Sequence, residues 1–198
     1  MCWGCYGRGS SENKFLEIII TVFLCALAMV CIIAILLTMF SPKGTDGASQ
    51  IFGYELRIVE SNSMEACDET DVSKYEIGSF QKNTMVALEL VPDRDDEAYD
   101  WYSSVKVGDV LTLRYTYDRQ VTITHRVTSI TEKEDGSGFI IELEGDNKDS
   151  NSAQLKQVID TSEKESRNYV IGKVVWKSYF MGVVVGGFQR VTKSFVGE

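Results

Sequence analysis

The 198-residue chain has little cysteine, proline and histidine, and it has no excess of basic residues. Of its five cysteines, only Cys67 lies beyond an apolar run near the amino terminus, so no disulfide can form within that later part and a disulfide-stapled secreted module is excluded. The net charge of -9 argues against a nucleic-acid partner, because phosphate binding needs clustered lysine and arginine. With one histidine in the chain, any histidine-based acid-base chemistry must use His125.

The apolar run extends from Ile18 to Phe40, and these 23 residues contain no Asp, Glu, Lys or Arg. This is long enough to cross about 30 Å of hydrocarbon and too long for the core of a cleaved signal peptide, so we expect a retained single anchor. Arg8 and Lys14 precede the run, whereas only Lys43 follows it closely, which favours a cytoplasmic amino terminus and an outward-facing domain.

The chain is therefore expected to be a single-pass protein of the cell membrane, or of the endoplasmic reticulum membrane in a eukaryote. Its segments are expected to be a cytoplasmic tail over 1–17, the transmembrane anchor over 18–40, a linker over 41–50, an extracytoplasmic β domain over 51–177 and an apolar segment over 178–198. Cys2 and Cys5 have a spacing that could ligate a metal, but the chain has no second pair nearby, and neither a metal nor a cofactor is expected.

The part of the chain after residue 50 shows period-two alternation more often than helical periodicity, which predicts a mainly β, antiparallel domain. Alternating residues in each stretch are expected to mark one buried face of a strand. These sets are Phe52, Tyr54, Leu56 and Ile58; Val86, Leu88 and Leu90; Leu111, Leu113, Tyr115 and Tyr117; and Phe139, Ile141 and Leu143.

Turn residues over 132–138 and at Asp118–Arg119 predict hairpin connections between neighbouring strands. The polar stretches 65–82, 92–107 and 149–168 lack either periodicity and are expected to be surface loops. The apolar stretch 178–188 is too short to span a bilayer as a helix, and it fits either a buried last strand or a segment against the lipid surface.

His125 shares strand parity with Val121, Ile123 and Val127, so its ring is predicted to point toward the apolar side of a strand. A histidine in such a place is more often structural than catalytic, unless partners join it. Two polar turns that each follow an alternating strand, Glu60–Glu65 and Glu144–Asp149, are candidate partners, although each by itself fits an ordinary turn.

Four short motifs occur in a fixed order behind the anchor: Ser61-Asn62-Ser63-Met64-Glu65, Thr124-His125-Arg126-Val127, Glu144-Gly145-Asp146-Asn147 and Ile171-Gly172-Lys173-Val174-Val175. In this order the chain resembles type I signal peptidase, and more specifically the serine-histidine subclass of the endoplasmic reticulum, archaea and some Gram-positive bacteria. Val105-Lys106-Val107-Gly108-Asp109-Val110 also resembles a strand lead-in of that family. The resemblance implies an antiparallel β domain of signal-peptidase type behind the anchor.

The resemblance also implies roles for individual residues. Ser63 matches the nucleophile, His125 the general base and Asp146 the acidic residue that would orient the base, while Ser61 and the backbone N–H of Ser63 match an oxyanion hole. The chain departs from the family pattern in two places. Ala66 and Cys67 follow Met-Glu where proline is usual, and Ser152 stands where a second acidic residue is usual, so Asp149 is an alternative acidic partner.

The leading hypothesis is therefore a membrane-anchored serine endopeptidase that removes signal peptides from exported precursors. Its partners would be those precursors, at the export machinery, and the lipid bilayer. A second reading is a non-catalytic anchored β domain for surface binding or assembly. A third is a sortase-like transpeptidase with Cys67 as nucleophile, but that family places its histidine before its cysteine, whereas Cys67 precedes His125.

Overall fold

The computed structural model describes residues 11–42, 50–67, 71–115, 121–149 and 157–196. The chain divides into two compact units, Met1–Pro42 and Lys43–Glu198. Cys2, Cys5, Lys43, Tyr117, the turn at Asp118–Arg119 and Ser152, all singled out in the sequence, lie outside the described residues.

Within residues 11–42, the part of the first unit that the structure describes, the chain forms one helix, α1 (Ser11–Phe40). No glycine or proline interrupts it, and its window Lys14–Ile33 has a mean hydropathy of 2.9. Twenty helical residues span about 30 Å, so this window is long and apolar enough to cross a bilayer, where a helix satisfies its own backbone hydrogen bonds.

The second unit is built around one eight-stranded sheet in which every neighbouring pair is antiparallel. Its order is β1-β2-β3-β8-β4-β5-β6-β7. The strands are β1 (Gln50–Ile51), β2 (Tyr54–Ile58), β3 (Met85–Leu90), β4 (Val110–Arg114), β5 (Thr122–Glu132), β6 (Phe139–Glu144), β7 (Gln157–Asp160) and β8 (Val170–Ser178). The helices are α2 (Asp95–Ser104), α3 (Lys164–Arg167) and α4 (Tyr179–Val196). The predicted mainly β, antiparallel domain behind an amino-terminal apolar helix is confirmed.

Two groups of buried side chains form the core of this unit. One joins α2 to strands β4 to β8 and includes Trp101, Leu111 and Leu143. The other joins β3, β4 and β8 to the segment after β2 and includes Met64 and Leu88. The second group fixes the segment that carries Ser63, because Met64, its neighbour in sequence, is fully buried.

The predicted alternation is correct for β3 and β6. In β4, Leu111 and Leu113 are buried as predicted, but residues 110–113 are all buried, so both faces of the strand are covered, and Tyr115 beyond it is 38 % exposed.

The predicted alternation is wrong for the stretch that begins at Phe52. Phe52 and Gly53 have φ values of 52° and 80° and form the two-residue turn between β1 and β2. In β2 the apolar residues Tyr54 and Leu56 face outward, whereas Glu55 is buried at 1 % exposure and accepts a hydrogen bond from the Arg57 side chain. The ion pair with Arg57 compensates for the burial of the Glu55 charge.

Two of the three predicted loops contain regular structure. Residues 92–107 include α2, which buries Ala98, Trp101 and Tyr102 on one face. Residues 149–168 include β7 and α3. The described part of 65–82 has neither a helix nor a strand, as predicted.

The carboxyl-terminal segment is helical, so the alternative of a buried last strand is wrong. Strand β8 ends at Ser178, and α4 follows it directly. The turn over 132–138 connects β5 to β6 as a hairpin, as predicted, with Lys133 donating its N–H to the Gly138 carbonyl.

Candidate active site

Ser63 lies in a tight turn that follows β2. The Glu65 N–H donates to the Asn62 carbonyl across this turn at 3.0 Å, and the Met64 carbonyl accepts the Phe80 N–H at 2.9 Å. These bonds and the burial of Met64 hold the backbone of Ser63 in place.

The turn after β6 binds directly to the Ser63 turn, although about 85 residues separate them in sequence. The Asn147 N–H donates to the Ser63 carbonyl at 2.9 Å, and the Asn147 side-chain amide donates to the Asn62 carbonyl at 3.2 Å. Asn147 therefore couples the Gly-Asp-Asn motif to the backbone of the Ser63 motif.

The hydroxyl of Ser63 lies at a pocket of about 300 Å³. Ser63 Oγ is 3.1 Å from Ser61 Oγ and 3.4 Å from the carbonyl oxygen of Thr124. His125 also lines this pocket, together with residues of β2 and of the start of β5. The pocket thus brings Ser61, Ser63 and His125 to one cavity.

His125 lies on β5, and its side chain points into the apolar interior, as its strand parity predicts. It is 2 % exposed, and its register partner on β4 is the fully buried Leu111. Its Nδ1 is hydrogen-bonded to Oε1 of Gln157 on β7. Because an amide oxygen can only accept, this bond favours the tautomer with the proton on Nδ1 and the lone pair on Nε2.

The Nε2 atom of His125 is buried and has no hydrogen-bond partner among the described residues. Burial is the largest effect on this ring, and it lowers the pKa of His125 below the ordinary value of 6.5. The hydrogen bond that Nδ1 donates to Gln157 and the negative charge of Asp146 both raise the pKa. The ring is accordingly neutral at pH 7 and has one unoccupied acceptor nitrogen.

Asp146 is paired with Arg126, the residue that follows His125 on β5. Both of its carboxylate oxygens accept hydrogen bonds from Arg126, from Nε at 2.8 Å and from Nη2 at 2.6 Å, and both residues are buried. Adjacent residues of a strand point to opposite faces, so Arg126 and His125 reach different sets of partners. Asp146 is therefore hydrogen-bonded to Arg126, and it affects His125 only through its negative charge. Asp149 is exposed in the turn that follows.

The guanidinium of Arg126 joins several segments of the site. Its Nη1 donates to the carbonyl oxygens of Ile77 and Gly108, both at 2.8 Å, and it lies 4.8 Å from the ring centre of Tyr75. Gly108 has a φ of 101°, and a Cβ there would lie 2.2 Å from the Tyr75 ring. The glycine of the Gly-Asp-Val lead-in thus leaves room for the ring that covers Arg126.

The glycine of the last motif also has a packing role. Gly172 on β8 is buried against β3, and a Cβ at this position would lie 2.3 Å from the Glu89 carbonyl oxygen. Any side chain would therefore separate β3 from β8 in the middle of the sheet.

Gln157 is a site residue that the sequence did not indicate. It begins a four-residue strand at the sheet edge, directly after residues 150–156, which are outside the described part of the chain. A strand this short gives almost no periodic signal. Its contact with His125 spans 32 positions and depends on the pairing of β6 with β7.

Among the described residues, no group of three or more His, Cys, Asp or Glu side chains is arranged to hold a metal ion. Cys67 is partly buried in the segment after Ser63, and it forms no disulfide with another described cysteine. The described residues that line the Ser63 pocket do not include it.

The chain is similar to Signal peptidase I W of Bacillus subtilis (strain 168), with 26% identity over 116 residues. The matched region covers 59% of this chain and 48% of the relative, so it spans about half of the relative's length. No family model matches the chain. This similarity supports a relationship to signal peptidase I and does not distinguish its subclasses.

Proposed function

We propose that the protein is a membrane-anchored serine endopeptidase of the serine-histidine type that cleaves signal peptides from exported precursor proteins. The observation that carries the proposal is the convergence of three distant segments: the Ser63 turn, the His125 strand and the turn at Asn147 meet through direct contacts. The similarity to Signal peptidase I W supports the same activity.

In this proposal Ser63 is the nucleophile and His125 its general base. A serine hydroxyl reacts slowly until a base removes its proton, and a neutral imidazole with a free Nε2 lone pair is such a base at pH 7. In the structure Ser63 Oγ lies near Ser61 Oγ and the Thr124 carbonyl oxygen. His125 Nε2 makes no hydrogen bond to Ser63 Oγ. The proposal therefore requires a side-chain rotation that forms this bond when substrate binds, as is common for catalytic groups in unliganded enzymes.

Two residues support the base in different ways. Gln157 accepts a hydrogen bond from the Nδ1–H of His125, which holds the ring in the tautomer that a general base needs. Asp146 contributes negative charge near the imidazolium as it forms, but its hydrogen bonds go to Arg126. We therefore assign Gln157 as the positioning residue and Asp146 as an electrostatic and structural one, with Asp149 as the alternative acidic group.

The hydroxyl of Ser61 and the backbone N–H of Ser63 would stabilise the oxyanion of the tetrahedral intermediate. The 3.1 Å separation of the two serine hydroxyls puts Ser61 beside the reacting oxygen. Loss of one such donor typically lowers turnover by about 10²–10³.

The remaining parts of the proposal concern location and substrate. α1 is the anchor, its amino terminus faces the cytoplasm, and the β domain acts on the outer side of the membrane. The substrates are precursors with small residues, often alanine, at the first and third positions before the cut. Anchoring raises the effective concentration of the enzyme at the surface where the apolar part of a signal peptide resides.

The test is cleavage of a signal-peptide-bearing precursor by the wild type, Ser63→Ala and His125→Ala, with sequencing of the new amino terminus. Both variants should fold and should lose processing. Ser103→Ala is the matched control, because Ser103 is an exposed serine on α2. Processing at the wild-type rate by Ser63→Ala would refute the proposal.

The absence of a Ser63–His125 hydrogen bond among the described contacts favours a second candidate, a non-catalytic anchored β domain for binding or assembly. Under that reading the wild type itself cleaves no precursor. The sortase-like alternative requires Cys67, so full activity of Cys67→Ala would exclude it.

A further inference from the structure

The hydroxyl of Ser79 bridges two peptide groups of the segment that follows Ser63. Ser79 Oγ accepts the Ala66 N–H at 2.8 Å and donates to the Met64 carbonyl oxygen at 3.1 Å. A hydroxyl has one proton to donate and two lone pairs, so a single side chain can satisfy both backbone groups. Ser79, Ala66 and Met64 all lie outside the helices and strands, so sheet pairing does not supply these contacts.

The two residues that flank Ser63 are bonded to the same stretch, residues 79–82. Before Ser63, Asn62 Oδ1 accepts the Lys82 N–H at 2.8 Å. After it, the Met64 carbonyl accepts a backbone N–H of this stretch at 2.9 Å, in addition to the hydroxyl bond described above. The stretch therefore holds the turn on both sides of Ser63.

Ser79 is in turn held by the sheet. Nζ of Lys177, on β8, donates a hydrogen bond to the Ser79 carbonyl oxygen, and it lies 5.6 Å from the ring centre of the buried Phe80. Strand β8 lies between β3 and β4 in the interior of the sheet. A continuous series of contacts therefore connects the middle of the sheet, through Lys177 and Ser79, to the backbone of the Ser63 turn.

The proposed chemistry requires the backbone of this turn to stay in place. Ser63 Oγ must reach Nε2 of His125 by rotation of its side chain alone, while the Ser63 N–H stays directed at the oxyanion. A displacement of a reacting group by about 1 Å can lower the rate about 10²-fold. Ser79 is not among the described residues that line the Ser63 pocket, so its hydroxyl would act through the backbone and not by contact with substrate.

We infer that Ser79 is a positioning residue for the nucleophile: its hydroxyl, held in place by Lys177, fixes the backbone of the Ser63 turn for attack. This inference rests on the proposed function, in which Ser63 is the nucleophile. Because the substrate pocket keeps its lining when the hydroxyl is lost, the loss should lower kcat and leave KM nearly unchanged.

The kinetic test measures precursor cleavage by the full-length wild type, Ser79→Ala and Ser79→Thr, at a temperature at which circular dichroism shows each protein to be fully folded. Ser79→Ala should lower kcat by about tenfold to a hundredfold and change KM by less than about twofold. Ser79→Thr keeps the hydroxyl and should recover most of kcat. Ser73→Ala is the matched control, because Ser73 is an exposed serine whose hydroxyl bonds to Asp71, and it should cleave at the wild-type rate.

Amide hydrogen exchange, measured by NMR, tests the contact itself without proteolysis. In Ser79→Ala the Ala66 N–H loses its acceptor and should exchange about tenfold faster or more. The Gly108 N–H, which donates to the Val127 carbonyl, is the internal reference and should exchange at the same rate in both proteins. Lys177→Met removes the ammonium but keeps an unbranched side chain, and it should also accelerate exchange at Ala66.

The outcomes separate this inference from the proposed function. Wild-type kcat in Ser79→Ala, a loss of kcat that Ser79→Thr does not recover, or unchanged exchange at Ala66 would each overturn the positioning role and leave the proposed function standing. A wild type that cleaves no precursor would instead contradict the proposed function, and the positioning role with it.

Discussion

The role assigned to Gln157 predicts how the pH dependence of cleavage changes when its amide becomes a carboxylate. Gln157→Glu keeps the size of the side chain and an acceptor oxygen near Nδ1 of His125, but it adds a negative charge at hydrogen-bond distance. A negative charge beside an imidazole favours the protonated ring, so the substitution raises the pKa of His125. A general base must be neutral, and the acid limb of kcat/KM therefore moves to higher pH.

The magnitude follows from the geometry. Two opposite charges about 4 Å apart attract by about 4 kcal/mol at an effective dielectric constant of about 20, which corresponds to about three pKa units. Burial of the new carboxylate opposes this attraction, so we expect the acid limb to move by about one to two units. At a pH below the shifted limb, this lowers kcat/KM by about tenfold or more.

The assay measures kcat/KM for precursor cleavage between pH 4.5 and 9, a range set by the ordinary histidine pKa of about 6.5. Gln81→Glu is the control, because Gln81 is exposed and the substitution adds the same charge away from His125. A Gln157→Glu profile that superimposes on those of the wild type and Gln81→Glu would refute the positioning role. Gln157→Leu removes the acceptor without adding charge, so it should lower activity without moving the limb to higher pH.

Three further predictions concern the fold. Asp146→Asn leaves the buried Arg126 charge unpaired, so denaturant unfolding should show a loss of about 3–5 kcal/mol; an unchanged midpoint would contradict the structural role of the pair. Gly182→Ala should destabilise the domain by about 1–3 kcal/mol, because the new Cβ would overlap the backbone at Asn83. Gly187→Ala is the control and should be neutral or stabilising, because no atom lies within 4 Å of a Cβ there. Equal unfolding midpoints for the two variants would contradict this packing. The pKa of His125 is lowered by burial, so the unfolded chain binds more protons than the native one between that pKa and about 6.5. The stability contribution is therefore full above about pH 6.5 and decreases as the pH falls below it, and a His125→Gln variant with the same pH dependence of urea unfolding would contradict this.

Strand alternation predicted the sheet because most strands have one face in the core. It misassigned β2, where Glu55 is buried through its pairing with Arg57 and Leu56 is exposed. The pattern could not distinguish an apolar face that covers the core from one that faces outward. For the same reason the sequence did not show which face of α4 packs on the sheet. Gly182 and Gly186 face the sheet, whereas large apolar residues such as Phe180 and Phe188 are exposed.

The helix α2 was missed although its buried residues Ala98, Trp101 and Tyr102 have helical spacing. Three acidic residues in its first turn made the stretch resemble a polar loop, although acidic side chains are favourable at a helix amino terminus. The apolar spacing was therefore the better guide than the overall polarity of the segment.

The sequence motifs predict Ser63, His125 and Asp146 as site residues, and the structure brings the segments that carry them into contact. Motif order could not show which side chain on β5 receives the carboxylate of Asp146, because His125 and Arg126 are adjacent and point to opposite faces. The hydrogen-bond acceptor for His125 Nδ1 is Gln157 on β7. Its position depends on the pairing of β6 with β7, which no local sequence pattern specifies. The long-range contacts of the site therefore required the three-dimensional structure.

The most direct test of the central claim is the rate at which the full-length protein in phosphatidylcholine vesicles cleaves a signal-peptide-bearing precursor, compared between the wild type and Ser63→Ala. The account predicts one new amino terminus after a small residue for the wild type, and a rate lower by about three orders of magnitude or more for Ser63→Ala. Equal rates for the two proteins, or no cleavage by the wild type, would contradict it.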